Sequence, residues 1–183
     1  IKIVIMKSVP VNRPLIKGNE LKFVSDCIKS GWISSDGSYV KKFEKEFAKL
    51  VSRKYAVSVS SGTAALDIAI KSINIKKDDE VIVPAFTIIS CLHQIVRQGG
   101  KPILVDSDPL TWNIDVTKIE KKISKKTKAI VIVHIYGLPV DIDPVIKIAK
   151  KYNLIIIEDA AEEIGQFYKN KPIGSYGHIS TFS

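Results

Sequence analysis

The stretch Ile155–Gly165, IIIEDAAEEIG, sets Glu158, Asp159, Glu162 and Glu163 directly behind three isoleucines. Carboxylates at the exit of so apolar a run could hold a divalent cation, or form the acid pair that serves a nucleotide-hydrolysing phosphate loop. The second chemistry also needs GxxxxGK[ST] to wrap a triphosphate, and the sequence contains no such segment. The first lacks a supporting set of ligands elsewhere. An acid at the end of a buried strand needs a cationic partner or several donors, because an unpaired buried carboxylate is costly. Asp159 is therefore expected to have a specific partner. Glu158 and Glu163 are read as surface or helix-start charge.

The second candidate is SSGTAAL, Ser60–Leu66, at a predicted strand-to-helix junction. Gly62 lets the backbone approach a ligand closely, and the N–H groups of the helix start together with the Thr63 hydroxyl could cradle a phosphate. A plain Ser/Thr N-cap after a tight turn fits the same residues equally well. Considered jointly, the two places suggest one occupant. A protonated pyridine nitrogen would suit Asp159, and pyridoxal 5'-phosphate adds a phosphate for which Gly62 and Thr63 are a fitting seat.

These residues need a scaffold, and the apolar pattern supplies one. Val40, Phe43, Phe47, Leu50 and Val51 share a helical face in DGSYVKKFEKEFAKLV, with Asp36 or Ser38 as its cap. Tyr55–Val59 reads as a short strand, Gly62–Ile73 as a helix, VIVPAF as a strand ended by Pro84, and 87–98 as a helix stopped at Gly99 and Gly100. Lys101–Asp106 is a strand, Val116, Ile119 and Ile123 mark a helix, KAIVIVHIYG is a buried strand, Pro144–Lys151 a helix, and Leu154–Asp159 a strand. Unalternated apolar strands separated by helices predict an α/β fold, a mostly parallel sheet covered by helices on both faces. Residues 1–30 read as an N-terminal arm with one helix, roughly Gly18–Ser30, and 31–183 as the main domain. In such sheets ligands sit beyond the carboxyl ends of the strands, which is where both candidates lie.

Composition narrows the class. The 183 residues are 45% hydrophobic and 26% charged, enough for one good core. Of the 28 basic residues only Arg13, Arg53 and Arg97 are arginine, so the formal charge of +9 reads as a solvated lysine surface rather than a nucleic-acid groove. Cys27 and Cys91 suit reduced core thiols, not a disulfide framework or a metal knuckle. No apolar run reaches membrane-spanning length, so a cytoplasmic protein without membrane or nucleic-acid partners is expected. The first residue is Ile1, and Met6 is a candidate start.

The ordered set WISSDGSYVKKFEKEFAKL, VSSGTAAL, DEVIVPAFT, AIVIVHIYG, IEDAAEEIG and GSYGHISTFS resembles the DegT/DnrJ/EryC1/StrS family of sugar aminotransferases from about Pro10 onward, and within it the 4-aminotransferases of 4-keto-6-deoxy nucleotide sugars. The resemblance implies the fold type I of pyridoxal-phosphate-dependent aminotransferases, with 31–183 supplying most of its cofactor-binding large domain. It implies that Gly62 and Thr63 bind the cofactor phosphate, that Ser183 lies on the phosphate side, that Asp159 pairs with the pyridine nitrogen, and that Glu162 stands beside the ring. It also implies a homodimer, a nucleotide-sugar substrate, glutamate as amino donor, and a glycan such as O-antigen as the product's destination.

Two departures stand out. Where the family commonly stacks an aromatic residue on the ring, this chain has Ile88; Phe86 is nearby and is read as core packing. The lysine that would hold the cofactor covalently is expected just beyond Ser183, so no catalytic residue is assigned within the chain. Lys169 and Lys171 belong to a surface hairpin in FYKNKPIG. His134 is read as a satisfied structural histidine, with Tyr136 near the cofactor pocket; His93 and His178 are read as core or surface, and Trp32 with Ser34 or Ser35 as a substrate-pocket lining or a packed turn. The expected activity is 4-amination, against 3-amination, C3 dehydration, or a scaffold that keeps the fold without catalysis.

Overall fold

The computed structural model describes residues 9–10 and 13–183; Met6 and most of the opening segment lie outside them. Two compact units divide between Lys42 and Phe43. The first carries α1 (Glu20–Ser30), ended by Gly31 in the left-handed conformation at φ 75°, and the start of α2 (Ser38–Leu50). Left-handed backbone is cheap only for glycine, which is why the helix stops there. Inside this unit Tyr39 Oη donates to Asp26 Oδ2 at 3.1 Å, and a cleft of about 270 Å³ is lined by Cys27, Trp32, Ser34 and Tyr39 but not by Ser35.

In the second unit follow α3 (Gly62–Ser72), β1 (Glu80–Pro84), α4 (Ile89–Arg97), β2 (Lys101–Val105), α5 (Val116–Ile119), β3 (Thr127–Val133), α6 (Ile142–Tyr152), β4 (Ile155–Asp159), the hairpin β5 (Phe167–Tyr168) and β6 (Lys171–Pro172), and β7 (Ile179–Thr181). Five strands form one sheet in the order β2-β1-β3-β4-β7, every pair parallel. Side chains alternate between its faces. Val81, Val83, Val131, Val133 and Ile157 pack with Leu66, Ile70, Cys91 and Ile95 under α3 and α4. Ile82, Ile130, Ile132 and Ile156 pack with Ile119, Ile142, Val145 and Ala149 of α5 and α6. This double covering is why the strands read as unbroken apolar runs.

One predicted strand is absent. Tyr55–Val59 is irregular, with Tyr55 and Val57 exposed, because among the described residues no strand lies beside it to complete a ladder. The helix expected through Ile123 is only α5 followed by a 3₁₀ turn at Glu120–Lys122. Strand β7, three residues long, is too short to stand out by periodicity. Among the described residues no helix is long and apolar enough to cross a membrane.

The chain reverses direction in the sheet between β1 and β3: the path from β1 leads outward to β2, then returns to β3 on the other side. A crevice opens at such a switch point, beyond the carboxyl ends of the strands.

Candidate functional site

That crevice is a cleft of about 330 Å³ lined by Phe86, Thr87 and Ile88 after β1, by His134 and Tyr136 after β3, and by Asp159, Ala161 and Glu162 at the end of β4. A second cleft, about 360 Å³, lies at the start of α3 and the end of β7, where Ser61, Gly62, Thr181 and Ser183 meet. Of the residues singled out in sequence, Asp159, Ile88 and Glu162 share the first, and Gly62 and Ser183 share the second. Thr63 lines neither; its hydroxyl is 3.0 Å from Ser90 Oγ, tying α3 to α4.

Strand β4 presents its last two residues to opposite faces. Asp159 follows Ile157 onto the α3/α4 face. It is 3% exposed, and its Oδ1 accepts from Ala161 N at 3.2 Å and from Thr181 Oγ1 at 3.5 Å. Its Oδ2 accepts from the Cys91 thiol at 3.2 Å. Among the described residues no ion pair involves it. Burial pushes its carboxyl above the ordinary value, against the pull of the hydrogen bonds from Cys91 and Ala161. The expected partner set is therefore partly filled by donors, and no cation among the described residues completes it. A buried carboxylate so placed could hold a proton on a basic nitrogen entering the cleft.

Glu158 follows Ile156 onto the other face, and here the sequence reading needs correction. The residue is not surface charge but 0% exposed. Oε1 accepts from Gly174 N at 2.6 Å and lies 3.3 Å from His134 Nε2; Oε2 accepts from Gly177 N at 2.9 Å and Tyr176 N at 3.2 Å. Burial pushes this carboxyl up, but the bonds from His134, Gly177 and Gly174 outweigh it and hold the value below ordinary. Val140 N–H donates to His134 Nδ1 at 3.0 Å, so the histidine is satisfied on both nitrogens, as its structural reading anticipated. Arg53 completes the clasp from outside, donating from Nε to Gly174 O at 2.6 Å and from Nη2 to Gly177 O at 2.5 Å. The loop held in this way leads into β7, which sets Thr181 opposite Asp159 and Ser183 beside Gly62.

Glu163 needs the same correction. It is 0% exposed with neither carboxyl oxygen hydrogen-bonded, and burial pushes its carboxyl up. Glu162 is exposed, and its Oε2 accepts from Tyr136 N at 2.6 Å. The four acids thus differ in their partners, and of the four Asp159 and Glu162 line the switch-point cleft.

At the start of α3, Ser61 accepts from Ala64 N at 3.2 Å as an N-cap. The other first-turn N–H groups have no helical acceptor and carry the positive end of the helix dipole, which favours an anion. A Cβ on Gly62 would stand 2.8 Å from Ser183 Cβ, so only glycine permits this approach. Cap and anion seat are compatible here.

At the cleft mouth Ile88 is 62% exposed and adopts the extended conformation just ahead of α4. Phe86, read as core, is instead 40% exposed, with ring centroids 5.5 Å from Trp112 and 6.4 Å from Tyr136. It lies two residues beyond the end of β1, whose own core positions are already filled by Val81, Ile82 and Val83. Lys169, in the turn of the hairpin, pairs with Asp143 of α6, and His93 is exposed on α4. His178 is exposed as well, its Nδ1 accepting from Ile156 N at 3.0 Å. Sequence reasoning missed Cys91, Thr181 and Arg53. Each touches its partner only through the folded sheet.

A model of the DegT/DnrJ/EryC1/StrS aminotransferase family matches residues 14–183. GDP-perosamine synthase of Escherichia coli O157:H7 is 48% identical over 178 residues, which are 97% of this chain and 49% of that protein. Among solved structures, an aminotransferase from Psychrobacter cryohalolentis superposes with a TM-score of 0.88 at 38% identity, covering 93% of this chain and 43% of the other. E. coli GDP-4-keto-6-deoxy-D-mannose-3-dehydratase with bound hydrated PLP superposes with a TM-score of 0.91 at 33% identity, covering 96% and 46%. The chain spans about half the length of the curated relatives it matches.

Proposed function

The chain belongs to the DegT/DnrJ/EryC1/StrS aminotransferase family, and from that premise we propose that the complete protein transfers the amino group of glutamate to the keto carbon of a nucleotide-linked 4-keto-6-deoxy sugar, with pyridoxal phosphate as cofactor. The single observation that carries the cofactor assignment is Asp159: a buried carboxylate at the switch-point cleft with donors on one side and no cation among the described residues. The donor-rich start of α3, with Gly62 kept open beside Ser183, fits the phosphate.

When bound, the cofactor supplies an electron sink whose strength depends on its ring nitrogen staying protonated. Asp159 holds that proton. Gly62 and Ser183 would hold the phosphate, with Thr63 joining them from the first turn of α3 if its hydroxyl leaves Ser90; Ile88 would cover the ring and Glu162 would stand beside it. The proposal divides the chain at about residue 30, with α1 (Glu20–Ser30) ahead of the division and 31–183 supplying most of the large domain. A cytoplasmic homodimer, whose partner completes the site and whose product enters a glycan such as O-antigen, belongs to the same proposal.

Amination at C4 is favoured because GDP-perosamine synthases are 42% to 48% identical to this chain, whereas the 3-dehydratase structure is 33% identical. The residue at the expected lysine position, about five residues beyond Ser183, separates the two chemistries, a lysine for amination and a histidine for dehydration. Glutamate added to the complete, cofactor-loaded protein is expected to shift the cofactor absorbance, and a nucleotide-linked 4-keto-6-deoxy sugar is expected to restore it with an amino sugar as product by mass spectrometry. An absorbance unmoved by glutamate overturns the proposal; a deoxygenated product in place of an amino sugar replaces amination with dehydration.

A further inference from the structure

We propose that Cys91 is a positioning residue for Asp159: its thiol fixes the carboxylate from the protein side with a weak hydrogen bond and leaves the negative charge to be met by the ring nitrogen in the cleft. The inference rests on the cofactor reading above and adds a residue to it.

The position follows from the fold. Helix α4 begins one short loop after β1, so its first turn lies directly against the ends of β1 and β4. Cys91, in that turn, is 1% exposed and places Sγ 3.2 Å from Asp159 Oδ2 and 3.5 Å from Thr87 Oγ1. No other hydrogen bond to Oδ2 is formed among the described residues; the main-chain N–H of Ala161 and the hydroxyl of Thr181 both go to Oδ1. The rotamer of Asp159 therefore depends on the sulfur.

The direction of the bond is settled by the surroundings. Burial and the adjacent negative charge push the Cys91 thiol up to about 12, so it remains S–H and donates. A thiol is a weak donor, whereas a hydroxyl bound to a carboxylate makes a markedly stronger, shorter bond. Of the other ionisable groups near Asp159, His134 is committed to Glu158 and the Val140 main chain, and Glu162 to the Tyr136 main chain. Two side chains among the described residues donate to Asp159, Thr181 to Oδ1 at 3.5 Å and Cys91 to Oδ2 at 3.2 Å, and Cys91 makes the shorter bond.

The test uses the complete protein, reconstituted with pyridoxal phosphate labelled with nitrogen-15 in the ring, with the ring-nitrogen titration followed by NMR in the wild type, Cys91→Ser and Cys91→Ala. The hydroxyl should satisfy Asp159 more fully and lower the ring nitrogen's proton affinity on the order of tenfold. Removing the donor should raise the proton affinity above the wild type, while loosening the carboxylate and weakening cofactor binding. Opposed shifts in the two variants support the positioning role. Both titrations within about twofold of the wild type, or both displaced in the same direction in step with thermal stability, overturn it and leave the cofactor assignment standing. A wild type that binds the cofactor with its ring nitrogen unprotonated overturns the assignment of Asp159 and this inference together.

Discussion

Glu158 and Asp159 are neighbours on one strand, equally buried, and opposite in every respect that matters to function. Glu158 has four donors spread over both oxygens and a carboxyl held below its ordinary value. Asp159 has three weaker ones, two of them a thiol and a hydroxyl at the limit of bonding, and a carboxyl pushed above its ordinary value. A buried acid whose hydrogen-bonding capacity is filled by the backbone is a fastener. One left short of donors at the wall of a cleft is available to a ligand. The alternation of a β-strand separates the two roles within a single peptide unit.

The largest expected effect comes from the acid left short of donors. Asp159→Asn in the complete protein should lower kcat by about 100-fold or more, since the amide carries no charge to hold the ring proton. Its thermal stability should be unchanged or higher. The sign follows from the raised carboxyl: an acid whose folded value exceeds its unfolded one contributes full stability below the unfolded value and loses it as pH rises through the folded one. A calorimetric scan at neutral pH together with steady-state rates would separate the two effects, and a destabilised Asn variant would place Asp159 with Glu158 as a fastener.

The mirror experiment is Glu158→Ala. It strands three main-chain N–H groups and His134, so a loss of about 3 kcal/mol or more is expected in denaturant titration. Because the Glu158 carboxyl is held low, its stabilisation is present above the unfolded value and disappears as pH falls through the folded one. The difference in stability between wild type and variant should therefore shrink in acid. A variant as stable as the wild type at neutral pH would show that the loop does not need its fastener.

Next comes the loop itself. Gly174 has φ +90°, and a Cβ there would meet Phe182 Cζ at 2.3 Å. Gly174→Ala should cost about 2 kcal/mol through the left-handed backbone and the rigid ring, read as a lowered Tm. The smallest effect is reserved for Glu163, buried without partners. Glu163→Gln should gain about 1 kcal/mol near neutral pH, and the gain should fade in acid, where the native carboxyl is already protonated. Equal stability of the two proteins at both pH values would indicate that this carboxyl finds a partner in the complete protein.

Asp159 was legible in sequence because a carboxylate at the end of an apolar strand already poses the question of its partner. Glu158 was not. Its donors come from Gly174, Tyr176 and Gly177, in a loop whose return to the strand no periodicity signals. Phe86 looked like core because its type is apolar, yet its strand had ended and the positions beneath were taken. Tyr55–Val59 has strand composition, but a ladder requires a neighbour, which is a property of two segments and not of one.

The sequence by itself determined most of the order of strands and helices, apart from the absent strand at Tyr55–Val59 and the short β7, together with the parallel sheet covered on both faces and the two loops that carry chemistry. Those follow from local periodicity and from glycine, proline and capping residues, each acting within a few positions of the chain. Only the tertiary structure decided which carboxylate is filled and which is left short of donors, and that Cys91 on α4 and Thr181 on β7 reach the same aspartate. Hydrogen-bond satisfaction is set by distances between segments far apart in sequence, so it exists only once the sheet has brought them together.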